Sequence, residues 1–167
     1  MKLRIPITAT LLGALFALAL PAQTPLFHDP NRPAAKPPQV QYLYPEQITV
    51  TAGKPEPVTL HFRIAPGLHI NSHDPSEKFL IPTVLSVPQN SGVRLAAAHY
   101  PQGVEFTLPA DPSSKLSVYT GDFSIETRLV ALPGDHLVQA RLRFQACDEN
   151  ACMPPKTITA PIDVIAR

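Results

Sequence analysis

Between Val58 and Ile64 every second residue is apolar: Val58, Leu60, Phe62 and Ile64 alternate with Thr59, His61 and Arg63. A period of two sends one set of side chains to a buried face and the other to solvent, the mark of a half-buried strand. The same alternation runs through Phe123, Ile125, Thr127 and Leu129, and again through Ile158, Ala160, Ile162 and Val164. It is cleanest from Val138 to Ala146, where Val138, Ala140, Leu142, Phe144 and Ala146 oppose Gln139, Arg141, Arg143 and Gln145. Shorter strands are expected at Gln47 to Ala52, Leu68 to Ser72, Phe79 to Val87 and Val93 to Tyr100. In the third of these, Pro82 favours an edge or a bulge. Pro66-Gly67, the polar run His73 to Lys78, Pro101-Gln102-Gly103 and Pro133-Gly134-Asp135 read as turns. Val104 to Leu116 is less regular, and Leu108 to Ser114 reads as a loop. Eight or nine short strands with no capped helix predict an all-β fold, an immunoglobulin-like antiparallel β-sandwich, with a small barrel as the alternative. The chain has no tryptophan, so the Cys…Trp…Cys signature of antibody domains is missing.

Composition supports this reading. Proline accounts for 21 of 167 residues, well above the usual share of about 5%, and proline at that density breaks helices. The amino terminus has a different character. Lys2 and Arg4 precede an uncharged apolar run from Ile7 to Leu20, and Leu20-Pro21-Ala22 offers a small residue for cleavage. This predicts a cleaved signal peptide at 1–22 and export to the periplasm, with an uncleaved anchor as the alternative. Residues 23–43 read as a proline-rich, extended linker, and 44–167 as the folded domain. Loss of Lys2 and Arg4 takes the formal charge from +1 to −1. A near-neutral chain offers no electrostatic basis for binding nucleic acid or an anionic membrane. After signal removal no further apolar run could span a bilayer, and a monomer that does not insert in the membrane is expected.

The chemistry concentrates at Phe144-Gln145-Ala146-Cys147-Asp148-Glu149-Asn150-Ala151-Cys152-Met153-Pro154-Pro155, which holds both cysteines. Four residues separate them, close enough for a disulfide, in a connection between the last two long strands. A structural staple is one reading. Closing so short a loop stabilises by only about 2 kcal/mol in the chain-entropy model, against nearly 5 for a loop of about 100 residues. A redox-active pair is therefore favoured. Pro154 and Pro155 stiffen the backbone and offer no N–H to a neighbouring strand. Asp148 and Glu149 put negative charge beside the thiols, which opposes thiolate formation. A third reading is a Cys₂His₂ metal site that adds His69 and His73, although these histidines are expected at the surface or at a loop edge. No nucleophile elbow and no glycine-rich phosphate loop is present.

The cysteine segment resembles the aromatic-Gln-small-Cys…Cys-x-Pro-Pro run of the amino-terminal, periplasmic domain of the DsbD thiol–disulfide interchange family. Leu68-His69-Ile70-Asn71-Ser72, Pro101-Gln102-Gly103-Val104 and Ser117-Val118-Tyr119 also resemble stretches of that family. The resemblance implies an immunoglobulin-like fold and a protein that relays electrons between thioredoxin-like proteins, with no cofactor. It implies partners of two kinds: a membrane electron carrier, and thioredoxin-fold proteins of disulfide-isomerase or cytochrome c maturation type. It assigns Cys152 to mixed disulfides with partners and Cys147 to resolving them. It also implies a cap loop within Phe106 to Tyr119 that shields the pair, with Phe106, Leu108, Leu116, Tyr119, Met153 and Pro154 as cap or docking residues. Two departures stand out. The best-known members have five residues between the cysteines where this chain has four, and an acidic pair in the cap loop is not evident here. The chain ends at Arg167 without a membrane domain or a carboxy-terminal thioredoxin domain, so action in trans is the expectation.

Overall fold

The computed structural model describes residues 37–43, 46–109 and 111–167. The expected signal peptide and most of the expected linker lie outside these residues. Among the described residues there are twelve strands: β1 (Val40–Tyr42), β2 (Glu46–Val50), β3 (Glu56–Ile64), β4 (His69–Asn71), β5 (Val84–Ser86), β6 (Val93–His99), β7 (Val104–Leu108), β8 (Asp111–Tyr119), β9 (Asp122–Ala131), β10 (Gly134–Phe144), β11 (Ala146–Cys147) and β12 (Lys156–Ala166). None of the described residues forms a helix long and apolar enough to cross a membrane.

The strands form three four-stranded sheets, in the orders β1-β3-β9-β6, β2-β12-β10-β5 and β11-β4-β8-β7. Pairing is antiparallel throughout, except that β2 runs parallel to β12. The first two sheets make the immunoglobulin-like sandwich. Their inward residues are the ones the alternation marks: Leu60 and Phe62 on β3, Ile125 and Leu129 on β9, Val138 and Leu142 on β10, Ile162 and Val164 on β12. All belong to one apolar cluster. Where a polar side chain enters this face it is satisfied: buried Thr127 donates its hydroxyl to the Val58 carbonyl at 2.7 Å, as burial of a hydroxyl requires.

The third sheet is built from strands that leave the sandwich at one end. β3 leads into β4 through Pro66-Gly67, where Gly67 has φ of 78° and the Leu68 N–H bonds the Ala65 carbonyl. This is a type II turn with proline and glycine at the positions that need them. β8 leads into β9 through Thr120-Gly121, with Gly121 at φ 59°. β10 leads into β11 across the single residue Gln145. Phe62 stacks on Phe123, and Phe123 on Tyr119, at centroid distances of 5.3 and 5.1 Å. These rings fill the corner where β8 passes into β9.

Three elements differ from the pattern reading. Val40–Tyr42, assigned by sequence to the linker, is a strand: Val40 pairs with Ile64 and is buried. The loop expected at Leu108 to Ser114 is largely strand, because β7 and β8 pair as a hairpin whose register shifts at Thr107/Leu108. The strand expected at Phe79 to Val87 shrinks to Val84–Ser86. Its apolar start leaves Phe79 80% exposed.

Candidate active site

Cys147 and Cys152 are joined in a disulfide. The chain turns back on itself between them. The Asp148 N–H bonds the Ala151 carbonyl at 3.0 Å, and the Met153 N–H bonds the Ala146 carbonyl at 2.8 Å. Those two bonds bracket Cys147 and Cys152 as an antiparallel pair of the type without mutual hydrogen bonds, in which Cα atoms approach most closely. Their Cα atoms are 3.9 Å apart. Asp148 shapes the turn, since its Oδ1 accepts the Asn150 and Ala151 N–H groups, both at 2.8 Å. Those two bonds hold its carboxyl below the usual carboxylate range. The acids therefore divide in role. Asp148 is a turn-forming side chain, while Glu149 lines a separate cavity with Arg63 and Asp122.

The two cysteines differ in exposure. Cys147 is 2% exposed, whereas Cys152 lies on the surface. Burial of Cys147 follows from its place in β11, paired with β4 on one side and bridged to Cys152 on the other. β4 itself is buried on both faces. Ile70 turns to the sandwich core. Asn71 on the other face is covered by the segment that follows, donating to the Ile81 carbonyl at 3.0 Å while its own carbonyl accepts from Thr83 at 2.6 Å.

A cavity of about 260 Å³ lies over the disulfide, lined by Cys147, Cys152, His69, Leu108, Leu116 and Phe79, among others. The β7–β8 hairpin forms one side and the segment after β4 another. Phe106 packs on His69 with centroids 4.3 Å apart. The expected cap residues thus separate into groups. Leu108 and Leu116 line the cavity over the disulfide, while Phe106 lies against His69 and lines the neighbouring cavity. Tyr119 is only 4% exposed; its hydroxyl donates to the Pro101 carbonyl and accepts the His73 N–H, both at 3.0 Å. It braces the base of the hairpin and presents nothing to a partner. Met153 is half-buried, held by a 2.7 Å contact of Gln39 Nε2 with its sulfur, and Pro154 is exposed beyond it.

His69 departs most from the sequence reading. Expected at the surface or at a loop edge, it is 3% exposed, and burial pushes its imidazole down while Asp148 pulls the other way. His73 is engaged elsewhere: its ring lies flat on Tyr100 at 3.7 Å and Nδ1 meets the Thr83 carbonyl at 3.0 Å. With the cysteines bonded to each other, the four side chains of the Cys₂His₂ reading do not come together as a ligand set. Among the described residues no other group of three such side chains does. Phe79, Leu80 and Glu77 also line the cavity, and sequence reasoning did not place them there. The apolar run Phe79-Leu80-Ile81 ahead of Pro82 looks the same whether it starts a strand or caps a site.

Comparison with known proteins bears on this arrangement. The family model for the amino-terminal region of the thiol:disulfide interchange protein DsbD matches residues 39–163. Among solved structures, the reduced DsbD amino-terminal domain of Neisseria meningitidis is 19% identical, with a TM-score of 0.46, covering 66% of this chain and 79% of that one. AggA, the major subunit of aggregative adherence fimbriae type I of Escherichia coli, is 9% identical with a TM-score of 0.31, covering 77% and 93%. Among curated proteins none matches. The family match spans the sandwich, the end sheet and both cysteines, and the chain belongs to the DsbD amino-terminal domain family.

Proposed function

We propose that this protein relays electrons between thioredoxin-fold proteins through the Cys147–Cys152 pair, in the periplasm, after removal of residues 1–22 as a signal peptide. The observation that carries the reading is the unequal exposure of the two cysteines: Cys152 is exposed and Cys147 is 2% exposed. Thiol–disulfide exchange needs in-line approach to one sulfur. A donor thiolate reaches Cys152 Sγ, bonds to it, and the electron pair of the broken bond stays on Cys147. The donor's second thiolate then releases Cys152, leaving a dithiol here and a disulfide in the donor. Run in reverse against an acceptor disulfide, Cys152 attacks and Cys147 resolves. The donor is a membrane electron carrier's thioredoxin-like domain, and the acceptors are thioredoxin-fold proteins of disulfide-isomerase or cytochrome c maturation type. Phe106, Leu108 and Leu116 cover the pair until a partner docks, beside Met153 and Pro154. The exchange itself needs no cofactor.

The test uses a thioredoxin-like probe that lacks its resolving cysteine and carries its remaining cysteine as a mixed disulfide with thionitrobenzoate, which an attacking thiolate displaces. Cys147→Ser should accumulate a mixed disulfide with the probe and Cys152→Ser should not. Equal trapping by both variants would overturn the assignment of roles.

A further inference from the structure

His69 is a buried polar side chain that the exchange reaction as written does not use. Its Nε2 is shielded from solvent and has no hydrogen-bond partner in the disulfide form. Such an orphan costs free energy in this state, a cost that a state offering it a partner does not carry. Its neighbour is plain from the register: His69 on β4 lies directly opposite Cys147 on β11. Residues directly opposite in an antiparallel pair share a face, with Cβ atoms about 4.5–5.5 Å apart. Cys147 is in turn opposite Cys152. His69, Cys147 and Cys152 therefore form one cross-strand row and line the same cavity.

We propose that His69 is the positioning residue for Cys147, its Nε2–H donating to the Cys147 sulfur once the disulfide opens and so stabilising the reduced pair. The proposal rests on the assignment of Cys147 as the buried leaving group. When the incoming thiolate bonds to Cys152 Sγ, the electron pair of the broken bond collects on Cys147. A buried thiolate without a donor is costly, and Cys147 has no route to water of its own. The imidazole supplies that donor with no proton leaving the ring. In the reverse step the same hydrogen bond holds Cys147 as the thiolate that attacks Cys152 Sγ and expels the partner's sulfur. Reduction thus satisfies the nitrogen that is orphaned in the disulfide.

The charged groups around the ring are few. Asp148 acts on it from the cysteine hairpin. Glu149, Arg63 and Asp122 line the cavity on its other side, and Glu77 lines the cavity over the disulfide. Arg63 and Asp122 are paired with each other through two 2.7 Å bonds. Burial outweighs the pull of Asp148, so the ring is neutral near pH 7 and carries the single N–H the proposal requires.

Equilibration with glutathione redox buffers tests this without any protein partner. His69→Phe should shift the equilibrium about tenfold toward the disulfide, equivalent to about 30 mV. His69→Gln, whose amide nitrogen can stand near Nε2, should recover most of that shift. An unchanged equilibrium in folded His69→Phe would overturn the proposal. Ring-nitrogen NMR of the unaltered protein gives a readout that needs no variant. In the reduced protein the His69 nitrogens should show a second titration step coincident with the Cys147 thiol, a step missing from the oxidised protein. Identical curves in both states would also overturn it. Because neither measurement involves a partner, a failure of trapping at Cys152 would be seen separately.

Discussion

The sandwich body and the end sheet are made from strands that follow one another along the chain, yet they follow different rules. In β3, β9, β10 and β12 one face is buried and the other open, and burial alternates almost residue by residue. Past Gly67, Gln145 and, in the reverse direction, Gly121, the same chain segments enter the end sheet and the alternation stops. β4 is buried at all three positions and β11 at both. The body therefore has one job, enclosing apolar side chains. The end sheet has two, joining that core on one face and presenting a reactive bond on the other. It follows that the fold and the chemistry can be damaged separately.

The sharpest way to expose that separation is Phe62→Ala. Phe62 is fully buried and stacks on Phe123 at the corner of the body. Removing it should cost about 3–5 kcal/mol, read as a fall in the denaturant midpoint. The native molecules that remain should reduce at the rate of the unaltered protein. A large change in reduction rate at unchanged native population would show that body and site are one unit.

Replacing Cys147 by alanine and Cys152 by serine should cost less. The chain-entropy model gives about 2 kcal/mol for a loop this short. The hairpin is already closed by the backbone bonds of Asp148 and Met153, so the measured loss should not exceed that figure. Circular dichroism should report an intact β fold. Unfolding of the double variant would return the bond to the role of a staple.

This contrast also explains what could be read from sequence. The long strands of the body were legible because their period of two depends only on one face being buried. So was the position of the cysteines at the end of the cleanest strand. β1 was not: Val40–Tyr42 is three residues set among prolines, and it becomes a strand only because β3 offers an edge. Nor was the burial of His69, since it lies against Phe106 and opposite Cys147, both distant in sequence. Local patterns report one interface at a time. The site is the place where three segments meet, and no local period encodes that.

A smaller effect on stability, and a larger one on chemistry, is expected for Phe106→Ala. Phe106 is half-buried and packs on His69 beside the disulfide. Truncation should cost much less than Phe62→Ala, because less area leaves water. Reduction by a small thiol should quicken several-fold as the ring packed on His69, the cross-strand neighbour of Cys147, is lost. If the rate stays fixed while stability falls as far as in Phe62→Ala, Phe106 belongs with the body, and the hairpin is not a cap.

The smallest effect concerns Asp148, and it divides the turn from its charge. Its carboxylate accepts the Asn150 and Ala151 N–H groups, and those bonds hold its pKa below the usual value of 3.8. A depressed folded-state pKa contributes stability that is fully present above the unfolded value and is lost as pH falls through the folded one. Asp148→Asn keeps an oxygen that can accept both bonds and removes the ionisation. Its denaturant midpoint should therefore lie slightly below that of the unaltered protein near neutrality, decline less steeply below about pH 4, and meet it at the acid end, where Asp148 is protonated. The same change removes a negative charge beside Cys147 and Cys152, which should shift the thiols of the reduced protein toward thiolate. Alkylation rates measured against pH would show the curve displaced to lower pH. Should both profiles coincide with those of the unaltered protein, the carboxylate would be a surface charge, and the hairpin would take its shape from backbone bonds alone.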